Sequence, residues 1–243
     1  MESTELPGVS ALEIHRSLSS TNERARAWIR EGVEPVAVVV AAQQTRGRGR
    51  GGSHWVSGAE AGLWMSAVVE GGDPERDRLL PLRVGLALAA GLDAMPARAH
   101  RPPIRLKWPN DVFSDRGKVG GILCESFGDR VVVGIGLNCS VPEVESDYPV
   151  AGLIGLDAAS LLPVATTAVV ESADRKAPGL EPSEVAEWRR RDLLAGTEVE
   201  AAGGVRGRAL GVDRLGRLLV AEPGRGIRAV ISGSARPVEA NFL

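Results

Sequence analysis

The sequence has few residues of the kinds that hold metals or cross-link chains. Its 243 residues include two cysteines, Cys124 and Cys139, and three histidines. Neither the cysteines nor the histidines have the spacing of metal ligands. Two cysteines could form at most one disulfide, which cannot stabilise a domain of this size, so a reducing compartment is favoured. No apolar run reaches the ~20 residues of a membrane span, and the start does not resemble a signal peptide. We therefore expect a cytoplasmic protein with no membrane association.

An excess of charge of one sign is also absent. Lys+Arg number 29 and Asp+Glu number 31, which gives a formal net charge of −2. This balance argues against a general nucleic-acid binder, so any anion that the protein handles must be held by a local group of cations. The hydrophobic content of 44% is enough for one sizeable core and a small second domain.

The first 195 residues mix apolar strand-like runs with helical segments. Few βαβ crossovers are evident, so we predict an α+β fold with a mixed or antiparallel sheet. Ser20 and Glu23 match a capping box at a helix start. Strands are predicted at residues 36–42, 62–70, 104–108, 119–127 and 130–137, and helices at residues 20–32, 79–94, 153–170 and 183–194.

The sequence pattern changes at Gly196 from mixed helices and strands to short strands. Four short predicted strands follow, separated by glycine-containing turns, and this spacing is typical of a small all-β barrel. We therefore predict two domains, residues 1–195 and residues 196–243.

The most unusual stretch is the arginine–glycine loop, residues 44–55, with the sequence QTRGRGRGGSHW. Arg46, Arg48 and Arg50 alternate with glycines, so in an extended backbone their guanidinium groups face one side. Guanidinium suits phosphate and carboxylate oxygens, and the glycines allow close backbone approach. Trp55 could add an apolar wall beside a bound anion.

Three other interpretations of this loop compete. A disordered RNA-binding segment is disfavoured because the arginine–glycine unit occurs once, between two predicted strands. Gly47, Gly49 and Gly52 match a dinucleotide fingerprint only formally, because residues 53–58 do not look helical. A plain surface loop with solvated charge explains the loop about as well, taken alone.

Two further regions place polar groups beside strands. The motif KWPND, residues 107–111, ends a strand at its proline and displays Lys, Asn and Asp, although Asn-Asp is equally ordinary in a turn. Lys118 precedes Gly120 and Gly121, and glycine within a strand often marks close approach of a ligand or another backbone. Asn138 ends the next glycine-containing strand and offers a donor and an acceptor.

Taken together, these motifs resemble those of biotin protein ligases. In chain order they are S-T-N, Q-T-x-G-R-G-R-x-G-x-x-W, K-W-P-N-D, K-x-G-G-I-L-x-E and G-I-G-x-N, between residues 20 and 138. The segment after Gly196 resembles that family's small SH3-like C-terminal domain. The resemblance implies the family's catalytic fold, which is similar to class II aminoacyl-tRNA synthetases.

The resemblance also implies a reaction. The biotin carboxylate attacks the α-phosphate of ATP to give biotinyl-5′-AMP and pyrophosphate, with Mg²⁺ as a further cofactor. A lysine of a biotin carboxyl carrier domain of a carboxylase then displaces AMP. Fixed cations would stabilise the charge that builds on the phosphate oxygens, and an ordered loop would exclude water.

The resemblance assigns roles to particular residues. Lys118 is expected to bridge the biotin carboxylate and the α-phosphate, with Arg48 and Asp111 as further catalytic residues and Asp111 as the Mg²⁺ ligand or the contact of the incoming lysine. The residues expected around the ureido group of biotin are Ser20, Thr21, Asn22 and Gln44. Those expected at the rest of biotin, the nucleotide and its phosphates are Gly47, Arg48, Gly49, Arg50, Trp55, Lys107, Asn110, Lys118, Gly120, Gly121 and Asn138.

The sequence departs from the family pattern in the loop. Ser53 stands where relatives usually have a basic residue, and Arg46 is the candidate to compensate. Only 19 residues precede Ser20, too few for a DNA-binding helix-turn-helix domain, so we expect a ligase that binds no DNA and is not a repressor. A monomer and a homodimer are equally open.

Two functions other than biotin ligation also fit the sequence. A lipoate ligase would share the fold and the adenylate chemistry, although the S-T-N trio and KWPND favour biotin. A module that only binds biotin or nucleic acid would release no AMP.

Overall fold

The computed structural model describes residues 6–146 and 148–238. These residues form two β-sheets and five α-helices. The strands are β1 Ala11–His15, β2 Ala37–Ala41, β3 Gly62–Glu70, β4 Arg105–Lys107, β5 Asp111–Ser114, β6 Gly117–Phe127, β7 Arg130–Asn138, β8 Glu198–Ala201, β9 Val205–Val212, β10 Leu218–Glu222, β11 Gly226–Val230 and β12 Ala235–Pro237. The helices are α1 Thr21–Arg30, α2 Pro74–Asp77, α3 Leu80–Ala94, α4 Ala158–Ala173 and α5 Pro182–Arg191.

The larger sheet has seven strands in the order β1-β2-β3-β7-β6-β5-β4. Among the described strands of this sheet, only β1 and β2 pair in parallel, and the other pairs are antiparallel. The predicted mixed sheet with helices is confirmed.

The larger sheet is covered on both faces. Alternate residues of a strand point to opposite faces, so Val38 and Val40 of β2 join the main core with α3 and α4. Ala37 and Val39 face the other way and form a smaller cluster with Ala25 of α1. This smaller cluster covers only part of its face, and the rest of that face carries the polar and glycine residues described below.

The second sheet has five antiparallel strands in the order β11-β10-β9-β8-β12. Its apolar residues, among them Val199, Ala209 and Val220, belong to the same core cluster as those of the larger sheet. The predicted SH3-like barrel is not confirmed, because within the described residues β11 and β12 do not pair and the sheet does not close. The domain boundary at residue 195 stays a prediction.

Several local predictions were wrong. Ser20 occupies the position before α1 but its side chain makes no capping hydrogen bond, and Glu23 accepts instead from the Ser19 hydroxyl at 2.6 Å. The fourth helix begins at Ala158 because Asp157 caps it in a reciprocal box with Ser160. Strands β1, β5 and β12 were not anticipated; β5 and β12 are only four and three residues long.

Two further findings concern membrane spans and the cysteines. No helix in the described part of the chain is long and apolar enough to span a membrane. Both cysteines, Cys124 and Cys139, are free thiols.

Candidate functional site

A cavity of about 200 Å³ opens on the α1 face of the larger sheet. Its walls come from the start of α1, the arginine–glycine loop, β6, β7 and the KWPND turn, so residues far apart in sequence converge here. We call it the first cavity. The predicted site residues that line it are Ser20, Thr21, Asn22, Gln44, Arg48, Gly49, Arg50, Trp55, Lys107, Asn110, Asp111, Lys118 and Gly121.

Glycines form the floor of the first cavity. A Cβ on Gly134 would lie 2.3 Å from Asn22 Oδ1, and a Cβ on Gly136 would lie 2.7 Å from Trp55 Nε1. A Cβ on Gly121 would lie 3.4 Å from the Trp55 ring. Larger residues on the central strands would therefore displace both the start of α1 and Trp55 from the sheet.

One end of the first cavity is neutral and polar. The Gln44 side-chain carbonyl accepts from Thr21 N at 2.8 Å, and Gln44 Nε2 donates to Ser57 Oγ at 2.7 Å. The buried Ser66 hydroxyl donates to Asn22 Oδ1 at 2.6 Å and lies 2.7 Å from Thr21 Oγ1. Hydroxyl and amide groups held in this way suit a small, uncharged polar ring.

The other end is cationic. Lys118 Nζ lies 2.7 Å from Asp111 Oδ1, and Lys107 Nζ lies 3.5 Å from Asp111 Oδ2. Lys107 is 3% exposed, and this burial lowers the pKa of its ammonium group. Burial also lowers the pKa of Arg50. Because desolvation makes a lone cation costly, this end of the cavity favours an anionic ligand.

Two neighbouring cavities meet the first one at Lys118. The second, about 550 Å³, is lined by Lys107, Lys118 and Arg236 together with Asp111 and other residues. The third, about 390 Å³, lies beyond Trp55 and includes Asn138. Lys118 lines all three cavities, as does Ser53. An anion bound in any of the three cavities can therefore approach the Lys118 ammonium.

The arginine–glycine loop folds back on itself as a short hairpin. Trp55 N donates to the Gly47 carbonyl at 3.0 Å, and Gly49 N donates to the Ser53 carbonyl at 2.8 Å. Gly51 and Gly52, with φ of 62° and 80°, make the turn. Left-handed backbone of this kind is far easier for glycine than for other residues.

The arginines of the loop separate. Arg50 Nη1 donates to the Gly233 carbonyl at 2.9 Å, so the loop touches the segment that precedes β12. Arg48 Nη2 lies 3.4 Å from Glu125 Oε1, beside the polar end. Arg46 is exposed and lines none of the three cavities, and its compensation for Ser53 stays a prediction.

Three predicted residues do not line the first cavity. A Cβ on Gly47 would lie 2.3 Å from the Trp55 carbonyl, so Gly47 serves the hairpin of the loop. A Cβ on Gly120 would lie 2.6 Å from the Gly136 carbonyl and from the Leu137 side chain, so Gly120 serves strand pairing and leaves no room in the cavity. Asn138 is buried beyond Trp55 and donates to the Ala151 carbonyl at 3.3 Å.

Sequence reasoning missed several lining residues. Leu123 forms an apolar wall, Met65 and Ile135 border the cavity from the main core, and Ser234 comes from the segment before β12. Leu123 could have been found, since it lies two residues after Gly121 on the same strand and so faces the same side. No pattern in the sequence marks Ser234, because its approach depends on how the two sheets pack.

The predicted Mg²⁺ ligand does not fit a metal site held by the protein. Both Asp111 oxygens face lysine ammonium groups. Within the described residues, no cluster of three or more His, Cys, Asp or Glu side chains could hold a metal ion.

Comparison with known proteins gives consistent matches. A model of the biotin/lipoate A/B protein ligase family matches residues 14–141. The chain is 34% identical over 234 residues to the biotin–[acetyl-CoA-carboxylase] ligase of Mycobacterium tuberculosis, covering 90% of this chain and 86% of that protein. It is 30% identical over 242 residues to the bifunctional ligase/repressor BirA of Bacillus subtilis, covering 90% and 71%. Among solved structures, biotin protein ligase from Aquifex aeolicus in complex with biotin and ATP aligns with a TM-score of 0.78 and 28% identity, over 94% of this chain and 99% of that one.

Proposed function

Because the chain belongs to the biotin/lipoate A/B protein ligase family, we propose that its site joins biotin to a lysine of a carboxylase's biotin carboxyl carrier domain. The protein is an ATP-dependent biotin ligase, as its relatives and the biotin- and ATP-bound Aquifex structure indicate. Beyond this activity, we assign the residues that carry it and the protein that receives biotin.

The observation that carries the proposal is the position of Lys118. Lys118 lines the first cavity, whose other end is polar and uncharged, and it also lines both neighbouring cavities. We place the ureido ring of biotin at the polar end, near Ser20, Thr21 and Gln44, with the carboxylate directed to Lys118. ATP would occupy the second and third cavities, with its α-phosphate at the same lysine.

In the first step, a carboxylate oxygen of biotin attacks the α-phosphorus, and the bond to the β-phosphate oxygen breaks to release pyrophosphate. Two anions must approach each other, so a cation that contacts both stabilises the crowded transition state more than the separated reactants. Lys118 meets this need, while Lys107 and Arg236 in the second cavity suit the departing phosphates. Trp55 and Asn138 are placed to contact the nucleoside from the third cavity.

In the second step, the carrier lysine amine attacks the biotinyl carbonyl, the bond to the phosphate oxygen breaks, and AMP leaves. The attacking amine must lose a proton, and we assign Asp111, the carboxylate beside the reacting atoms, to accept it. We assign Asp111 to orient the incoming amine. The arginine–glycine loop lies over the cavity and would shield the mixed anhydride from water.

The test is a mass measurement on a carrier domain. The protein is incubated with biotin, Mg-ATP and a biotin carboxyl carrier domain, and the expected product is a carrier heavier by one amide-linked biotin. A carrier whose target lysine is replaced by arginine should stay unmodified. Modification with lipoate in place of biotin, or tight biotin binding without AMP release, would overturn the proposal in favour of a lipoate ligase or a binding module.

A further inference from the structure

We propose that Glu125 is a positioning residue that links the polar end of the first cavity to the arginine–glycine loop. This inference rests on the proposed function, because it assigns the polar end to biotin. Glu125 lies on β6, outside the cationic end where the chemistry is placed.

The two carboxylate oxygens of Glu125 contact different parts of the site. Asn22 Nδ2 donates to Oε2 at 2.8 Å, and Arg48 Nη2 lies 3.4 Å from Oε1. The Glu125 side chain is 20% exposed and that of Arg48 is 38% exposed. One carboxylate therefore connects the first turn of α1 with the middle of the loop, and it accepts charged or polar donors on both sides.

The contacts continue from Asn22 as an unbroken chain of polar groups. Asn22 Oδ1 accepts from Ser66, whose hydroxyl also lies 2.7 Å from Thr21 Oγ1. Thr21 N and Oγ1 lie 2.8 Å and 3.1 Å from Gln44 Oε1. Gln44 is the first residue of the loop. The series of polar contacts therefore connects Arg48, in the middle of the loop, through the polar end to Gln44, at the start of the loop.

This arrangement fixes the orientation of the Asn22 amide. Glu125 can only accept, so it holds the NH₂ group, and Ser66 donates to the carbonyl oxygen. Gly134 lies directly beneath, where a Cβ would come 2.3 Å from Oδ1. Without the Glu125 charge, the amide can turn over and Arg48 loses its partner, so both the polar end and the loop lose order together.

The test replaces Glu125 with glutamine, which keeps the shape and removes the charge. We expect KM for biotin to rise about tenfold, from the loss of the charge on the hydrogen bond with Asn22 and of the ion pair with Arg48. KM for ATP and kcat should change less than KM for biotin, because Glu125 contacts the polar end and Arg48 and does not contact the cationic end. Glu125→Asp, which keeps the charge, should fall between wild type and Glu125→Gln. The matched control is Glu13→Gln, which removes a carboxylate of similar exposure, 26%, paired with Arg24 outside the site.

A second readout follows the loop without any ligand. Arg46, Arg48 and Arg50 are trypsin sites, so the rate of cleavage in the loop reports its order. We expect Glu125→Gln to be cut several times faster than wild type in the absence of biotin, and Glu13→Gln to be cut at the wild-type rate. Equal cleavage together with an unchanged KM for biotin would overturn the inference.

Two further experiments distinguish failure of the Glu125 inference from failure of the proposed function. Arg48→Met breaks the same ion pair from the loop, so adding it to Glu125→Gln should raise KM no further than the larger single change, and full additivity would count against the pair. Arg48→Met also serves if Glu125→Gln does not fold, with cleavage followed at Arg46 and Arg50. If wild type fails to use biotin, the proposed function fails, while ligand-free cleavage still decides whether Glu125 orders the loop.

Discussion

Lys118 Nζ lies 2.7 Å from Asp111 Oδ1, at the point where three cavities meet. A protonated lysine has no free electron pair, so a lysine paired in this way can attract anions without itself attacking an activated acyl group. Under the proposed function, the pair also gives the incoming carrier amine a carboxylate to approach.

Replacing Lys118 with methionine should lower the rate of adenylate formation by about 10²-fold or more, the range seen when one group that stabilises transition-state charge is removed. Biotin-dependent exchange of pyrophosphate into ATP measures this step. Lys176→Met is the control, because Lys176 is 64% exposed and pairs with exposed Glu70 at 3.5 Å, away from the site. Wild-type exchange in Lys118→Met would remove Lys118 from the mechanism.

Adding a methyl group at Gly136 should disturb the nucleotide side of the site. The new Cβ would lie 2.7 Å from Trp55 Nε1 and 2.8 Å from Cε2, so the ring must lift from the sheet. We expect KM for ATP to rise about tenfold or more, since small displacements of positioned groups have large effects on rate. Gly58→Ala, whose Cβ would lie 3.4 Å from Ala61 Cβ, should behave like wild type.

Two glycines of α3 should respond in opposite ways to alanine. Gly85→Ala should raise the free energy of unfolding by about 0.5–1 kcal/mol, because alanine favours a helix more than glycine does, and its nearest contact is Leu106 Cδ2 at 3.5 Å. Gly91→Ala should give no such gain, because its Cβ would lie 2.7 Å from Val164 Cγ1. Urea titration of both variants measures the difference, and an equal gain would mean that α4 moves freely away from α3.

The stability of the protein should depend on Asp192 at mildly acid pH. Burial raises the pKa of this carboxyl group from 3.8 to about 6. The folded state therefore holds a proton that the unfolded chain has lost, and this contribution to stability is complete below pH 3.8 and disappears as the pH rises through 6. Between pH 5 and pH 7.5, the free energy of unfolding of Asp192→Asn should gain roughly 1 kcal/mol relative to wild type. A constant difference across that range would place the pKa elsewhere.

Much of the larger sheet was predictable from local pattern. Strand β3 was predicted with its observed bounds, because nine mostly apolar residues end at Glu70. The predicted α3 differs by one residue, with Pro81 in its first turn. Strand β5 was missed because a four-residue strand between a proline turn and a glycine turn carries too few residues for an alternating pattern.

The site was predictable where a motif supplies the ligand-facing groups. Lys118, Arg50 and Gln44 line the first cavity as expected. Gly120 was misplaced because a glycine in a strand can make room for a ligand or for the neighbouring strand, and only the register of β6 on β7 separates the two. Glu125 was visible in the K-x-G-G-I-L-x-E motif, but its contacts depend on where α1 and the loop fold against the sheet.

The contact of Arg50 with the Gly233 carbonyl has a consequence for mutagenesis. Because the acceptor is a main-chain carbonyl, no side-chain replacement removes it. Alanine scanning of the C-terminal segment would therefore not reveal this partner of Arg50 by deleting a side chain. Gly233 is sensitive for another reason: its φ is +100°, and a Cβ there would lie 2.3 Å from that of Ala202. A methyl group at Gly233 would shift the peptide carbonyl that accepts from Arg50. A loss of ligase activity in Gly233→Ala would therefore indicate a displaced backbone and not a missing functional group.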